Sequence, residues 1–352
     1  MALLRSPAPR FLPRIALAVV LILAVGFGLA PLSARQATAP PAPQCVWTGV
    51  EKIVAVGDLH GAKDQFERIL QDTRLVDADI NWTGGKAHLV QMGDVMDRGD
   101  KAKEIFDDIR KLEKQAEQAG GHVHMLIGNH EELNLIGLSL QYENFVSQKQ
   151  FFAFLPFTTR VDWEHRMGGT LSWSDWTDII LHERKVRDDY YKGFREKYGS
   201  WIVEHNVVIK IDGTVFVHGG LTESFASMGV QGINDLYHAE ILPCLKGKEL
   251  PSNSQIVFKS DGPLWNRTLA ETGKIGESDE RHASIDRILA ALQADRIVVA
   301  HTPTNFHGHE QEMTRYGGKV WVIDTGIGLG GYAWNIRVEN GSVSVDKWGR
   351  TP

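Results

Sequence analysis

Cysteine is scarce in this chain: Cys45 and Cys244 are the only two among 352 residues. At most one disulfide can form. In an oxidising compartment it would staple the start of the folded region to its body; otherwise these are two unrelated residues, one of them buried. Neither Cys nor Ser stands in a phosphate-cradling loop, so no side-chain nucleophile is in place for a covalent intermediate. No long basic run follows the N-terminus and the formal net charge is -6, which speaks against a nucleic-acid binder. There is no internal repeat, and low complexity is confined to one short Pro/Ala stretch. With 43% hydrophobic and 23% charged residues, the chain is expected to be globular, with a sizeable core.

A long hydrophobic run occurs once. Arg5, Arg10 and Arg14 form a positive segment, Ile15 to Leu32 are almost wholly apolar, and the small residues Ser33 and Ala34 follow. Residues 1–35 therefore read as a secretory signal peptide or, given the length of the run and the lack of a clear cleavage triplet, as an N-terminal membrane anchor. Either way the arginines stay cytoplasmic and the rest crosses. The expected location is periplasmic or extracellular, free or tethered by residues 15–32. Residues 36–44, QATAPPAPQ, read as a linker, which leaves 45–352 for the folded domain.

One local pattern recurs in that domain. Short apolar, β-branched runs at 53–56, 88–92, 123–127, 214–217, 297–300 and 320–323 each end in polar residues, mostly with glycine. Such runs are strand signals. Helical stripes fit between them at 62–72, from Ala102 through Ile105, Phe106, Ile109 and Leu112 to Ala116, and at Ile285, Ile288, Leu289 and Leu292. Alternating strands and helices predict an α/β protein, in which ligands sit outside the carboxyl ends of the strands. Residues 132–210 differ: they are charged, rich in Trp and Tyr, and read as a mostly helical insert. Such an insert would cap the cleft or, for most of its aromatics, simply pack a helical layer.

The strand ends carry metal-ligand chemistry. Asp58 and His60 leave the first run together; Asp94 follows the second, Asn129 and His130 the third, His218 the fourth and His301 the fifth. Carboxylate with imidazole suits manganese, iron or zinc and not calcium. A carboxylate such as Asp94 has two oxygens and can bridge two cations, which would clamp a phosphoryl group and acidify a water between them. Each piece alone is ordinary, since Gly-Asp after a strand is usually a turn and a core His is usually structural. Their conjunction at successive strand ends is specific.

The motifs GDLHG, GDVMDRG, GNHE and HGG, with the later His301-Thr302, resemble those of the calcineurin-like metallophosphoesterases. Asp97-Arg98-Gly99 is similar to the phosphoprotein phosphatases, and DGPLW with Arg267 is similar to their Shewanella-like branch. The resemblance implies a four-layer α/β/β/α sandwich of two mixed sheets with an inserted helical region. It implies two metal ions, manganese foremost with iron or zinc as alternatives: one held by Asp58, His60 and Asp94, the other by Asp94, Asn129, His218 and His301. His130 would be the general acid, oriented by Asp97, and Arg98 and Arg267 would bind phosphate. The implied reaction is hydrolysis of phosphate monoesters, small or protein-borne, by direct attack of a metal-bridging hydroxide. Nucleotide or diadenosine polyphosphate hydrolysis, diester hydrolysis and an inactive binding module are the alternatives. Pro303 stands where many superfamily members have a second histidine, as in the phosphoprotein phosphatases.

Overall fold

The computed structural model describes residues 43–348, except 168–171, 173–175, 177, 179–181, 247–249, 251, 272–277, 307–308, 311–312, 328–332 and 340–341. The expected signal or anchor at 1–35 lies outside the described residues. Among the described residues no helix is long and apolar enough to cross a membrane. Ala42–Pro352 forms one compact unit.

Two mixed sheets make its centre. One runs in the order β13 (Ser342–Trp348), β12 (Ala333–Glu339), β2 (Lys52–Val56), β3 (His88–Gln91), β4 (His122–Met125). The other runs β1 (Val46–Trp47), β5 (Val208–Ile211), β6 (Thr214–Val217), β7 (Arg296–Val299), β11 (Val320–Val322), β10 (Thr314–Arg315). A separate ribbon pairs β8 (Asn305–Phe306) with β9 (His309–Glu310). The site-bearing strands are parallel neighbours: β2 with β3 and β3 with β4 in one sheet, β6 with β7 and β7 with β11 in the other. Their carboxyl ends therefore lie together.

The two-residue period of each strand splits its side chains between two cores. Ile53, Ala55, Val90 and Met92 of one sheet meet Ile209, Phe216, Val298 and Ala300 of the other. Val54, Val56 and Leu89 point outward with Phe66, Ile69, Ile105 and Phe106 of helices Lys63–Asp72 and Ala102–Gln118. Across the molecule Val215, Val217, Ile297 and Val299 join the core that includes Ile233, Tyr237 and Ile241 of helix Gly229–Leu245 and Ile285 and Ile288 of helix Asp279–Leu292. This is the expected four-layer sandwich. The buried stripe of Ala102–Gln118 is the predicted one, and Gly120 follows it with φ +81.

The insert is helical, with segments Asn129–Ile136, Gln148–Phe154, Phe157–Met167 and Arg184–Phe194. At its far edge, residues 208–210 belong to β5, which pairs with β1 and β6. The β-branched alternation of Val207 to Ile211 outweighs the helical context before it. The two cysteines are free and both are buried. Cys45 Sγ donates to Gln231 Oε1 at 3.1 Å.

Candidate metal centre and active site

Each strand end turns sharply to bring its polar residues into one place. His60, Asp94, Asp97, Arg98 and His301 all have left-handed backbones, with φ of 45°, 54°, 67°, 65° and 62°. Side chains other than glycine rarely adopt this conformation, and its concentration here marks stored strain at a functional site. Gly93 makes one turn possible: its φ is +93, and a Cβ there would lie 2.6 Å from the Gly128 nitrogen.

Asp94 is the hub. Its Oδ2 lies 3.8 Å from His60 Nε2 and 3.8 Å from His130 Nε2, and its Oδ1 lies 3.4 Å from His218 Nε2. Two buried groups result that could hold a metal ion, His60–Asp94–His130 and Asp94–His218–His301, and they share Asp94. His60 Nδ1 is bonded to the Met96 carbonyl at 2.9 Å and His218 Nδ1 to the Met92 carbonyl at 2.7 Å. These bonds turn each Nε2 toward Asp94, as a ligating imidazole requires. Asn129 Oδ1 sits 3.0 Å from His218 Nε2.

One observation tests whether this pocket fits cations. His301 Nε2 is buried and has no hydrogen-bond partner among the described residues. A polar atom in that state is costly unless something satisfies it, and a metal ion does so. Burial, then His218 and Arg267, holds the His301 pKa well below the ordinary value, so its ring is neutral and able to ligate. Burial, then Asp324 and Asp94, pushes the Asp58 carboxyl well above its ordinary range. Crowded buried carboxylates and a bare imidazole nitrogen form a donor set that divalent cations complete.

Asp58 lines the same cleft as His60 and Asp94. It is buried in the cleft wall, but it accepts the His301 main-chain N–H at 3.2 Å and faces His218 Nδ1 at 3.8 Å. His130 also stands beside His60 and Asp94. Two contacts set the orientation of the His130 ring. Its Nδ1 is bonded to Asp97 Oδ2 at 2.8 Å, and its Nε2 lies 3.5 Å from Arg98 Nη2. Burial opposes its protonation, yet Asp94 and Asp97 outweigh it and raise its pKa above the ordinary histidine value. A proton-bearing imidazole is what a general acid needs.

Arg98 is exposed at the cleft and stands over the Phe145 ring, 5.4 Å from its centroid. Arg267 also lines the cleft, but part of its guanidinium is committed: Nη1 donates to the His301 carbonyl at 2.6 Å and to Thr302 Oγ1 at 3.3 Å. It braces the His301 loop as well as facing the cleft.

The cleft has a volume of about 230 Å³. Phe145, Trp265 and Asp324 line it, and none of them was singled out as a site residue from sequence. Asp324 accepts the Gly326 N–H at 2.9 Å, and its buried carboxyl forms part of the cleft wall beside Asp58. Glu131 closes the GNHE motif. Its carboxylate accepts the N–H groups of Asp94, Val95, Met96 and Gly128 at 2.8, 3.0, 3.3 and 3.0 Å and so sets the loop of the shared ligand.

Comparison with known proteins agrees with this geometry. The profile of the family described as calcineurin-like phosphoesterase matches residues 51–305. Shewanella-like protein phosphatase 1 of Plasmodium berghei (strain Anka) is 28% identical over 286 residues, covering 80% of this chain and 68% of that protein. Shewanella-like protein phosphatase 2 of Arabidopsis thaliana is 29% identical over 239 residues, covering 63% of this chain and 59% of that protein. Among solved structures, the cold-active protein-tyrosine phosphatase of a psychrophilic Shewanella species superposes with a TM-score of 0.64 at 26% identity, covering 87% of this chain and 82% of that one.

Proposed function

We propose that this chain, which belongs to the calcineurin-like phosphoesterase family and to its Shewanella-like branch, is a metal-dependent phosphatase that hydrolyses phosphate monoesters. The observation that carries the reading is Asp94, shared by two buried His/Asp groups in a cleft that also receives His130 and Arg98. Asp58, His60 and Asp94 would hold one cation, and Asp94, Asn129, His218 and His301 the other. Manganese suits this mixed carboxylate and imidazole set, with iron or zinc as alternatives. Bound there, such ions would supply Lewis acidity toward the phosphoryl group and lower the pKa of a coordinated water. Arg98 offers paired N–H donors to a phosphate oxygen, with Arg267 as a second donor. His130 gives its proton to the departing oxygen, while Asp97 fixes its tautomer.

Phosphotyrosine is the substrate class best matched to the walls. Phe145 and Trp265 both line the cleft, and an aryl ester offers each a ring to pack against. A phosphatase with tyrosine-phosphate activity in its name is among the similar structures. Export of residues 45–352 is part of the same proposal and rests on the charged and apolar pattern at residues 5–32.

The test is turnover of purified residues 45–352 with added manganese on phosphotyrosine and phosphoserine peptides, nucleotides and diesters. Monoesters, with the aryl ester first, are expected to dominate. A preference for anhydrides or diesters would overturn the monoester reading. For export, a C-terminal alkaline phosphatase reporter should be active; a silent reporter on a cytosolic protein would remove that part.

A further inference from the structure

The insert reaches the reaction through a side chain that touches no expected ligand. Asp97 is completely buried, and both its carboxylate oxygens are occupied. Oδ2 is bonded to His130 Nδ1 at 2.8 Å and receives Asn134 Nδ2 at 3.0 Å; Oδ1 receives Asn134 Nδ2 at 3.2 Å and Gln150 Nε2 at 2.5 Å. The Gln150 amide returns to the same residue, its Oε1 accepting the Asp97 main-chain N–H at 2.7 Å. One glutamine thus clamps both the backbone and the side chain of a residue whose φ is +67. That conformation is unfavourable for aspartate and persists only if its surroundings impose it.

The clamp is itself held. Gln150 Nε2 donates to Tyr190 Oη at 3.0 Å, and Tyr190 Oη donates to Asn134 Oδ1 at 2.8 Å. Ser139 Oγ donates to that same Asn134 oxygen at 2.7 Å. Tyr190 stacks on Phe151, beside Gln150, with centroids 4.9 Å apart and planes at 14°. Gln150 lies on helix Gln148–Phe154 and Tyr190 on helix Arg184–Phe194, both in the insert. Asn134, Gln150 and Tyr190 are all essentially inaccessible. A buried, fully bonded network of this kind fixes one arrangement of its members.

We infer that Gln150 and Tyr190 are positioning residues for protonation of the leaving group: the inserted helices hold Asp97, and through it His130, in the geometry that delivers the proton. The inference rests on the reading of His130 as the general acid. It gives the insert a part in the chemistry and not only in covering the cleft. A misplacement of about 1 Å at a catalytic group is enough to slow a reaction up to about a hundredfold.

The test uses Gln150→Met and Tyr190→Phe in the full metal-loaded protein, assayed on a nitrophenyl phosphate and on an alkyl phosphate. Metal content is measured alongside. The expected result for Gln150→Met is a fall of about tenfold or more on the alkyl ester, with little change on the nitrophenyl ester and no loss of metal. Tyr190→Phe removes one hydroxyl only and should show the same selectivity at smaller size, which keeps the test open if the glutamine variant fails to fold. In a His130→Asn background either substitution should add nothing, because the proton donor it positions is gone. An equal fall on both esters, or an undiminished further fall without His130, overturns the inference. A His130→Asn enzyme that slows equally on both esters overturns the underlying reading instead, so the two failures are distinguishable.

Discussion

Glu131 Oε2 accepts the main-chain N–H of Asp94 at 2.8 Å, so the helix that begins with Asn129 and His130 also fixes the loop of the shared carboxylate. The same oxygen takes the Gly128 N–H, and Oε1 takes those of Val95 and Met96. Burial, then Asp94, pushes the Glu131 carboxyl up to about 7. An amide in its place keeps one acceptor and turns a donor on donors. Glu131→Gln is therefore expected to lose about 1–3 kcal/mol of stability for unpaired N–H groups, and to bind both metals more weakly. Thermal midpoint and metal content check this; an unchanged metal content would show that the loop holds itself.

Asp94→Asn should lose more activity than any other single ligand change. It removes charge from both buried groups at once, whereas changing His60 or His218 touches one. A chelator should abolish activity and manganese should restore it in the wild type. Elemental analysis giving two metals per chain and near-normal turnover in Asp94→Asn would remove it from the bridging position.

His130→Asn should keep its metals and slow about a hundredfold or more on alkyl phosphates, while esters of acidic phenols lose far less. The proton matters only where the leaving oxygen is basic. The measurement is the slope of log kcat against leaving-group pKa, which should steepen in the variant.

Arg98→Ala should collapse the preference for monoesters over diesters, mainly through lost monoester turnover. A monoester has a third terminal oxygen for the guanidinium, and a diester has a carbon on it. An unpaired donor of this kind costs about 1–3 kcal/mol, a factor of about ten to a hundred or more. Arg267→Ala should have a mixed effect, since its Nη1 also braces the His301 carbonyl. Metal affinity and monoester turnover measured together separate the two contributions.

A stability prediction arises at the opposite ends of the strands, where His88, His122 and His124 gather against Trp47. Burial, then His122, presses the His88 pKa down to about 4, against a smaller upward pull from Asp212. Burial, then His88, His122 and His205, presses His124 well below its ordinary value. The unfolded chain binds these protons more readily than the folded one. Their contribution is therefore fully present above about pH 6.5 and is lost as pH falls from there toward 4. Urea titrations in chelator should show this decline, and His88→Gln with His124→Gln should flatten it. Parallel curves for wild type and the double variant would assign acid sensitivity elsewhere.

Much of the site was legible in the sequence because its residues are tied to strand ends. A β-branched run of four or five residues followed by Gly-Asp or Gly-Asn fixes both a strand and the place where its ligand emerges, and parallel pairing then gathers those ends. Asp58, Asp94, Asn129, His218 and His301 all stand just past such strands. The hairpin of β12 and β13 had a readable signal as well, since Asn340-Gly341 stands between two alternating runs. Helix Gly229–Leu245 was harder to read, because it contains Pro243 and its burial depends on the sheet beneath it.

What tertiary structure alone decided are the relations between residues that share no local pattern. Gln150 and Tyr190 lie 53 and 93 residues beyond Asp97, and no spacing rule predicts that an amide and a phenol from an insert will close around it. Asp324 reads as a strand terminus until β11 is set beside β7, which brings its carboxyl into the cleft wall with Asp58. Which strand ends carry ligand-type residues is legible along the chain, because side-chain type and backbone propensity are local. Which insert residues orient the acid depends on how separate helices pack, and packing is a property of the whole chain.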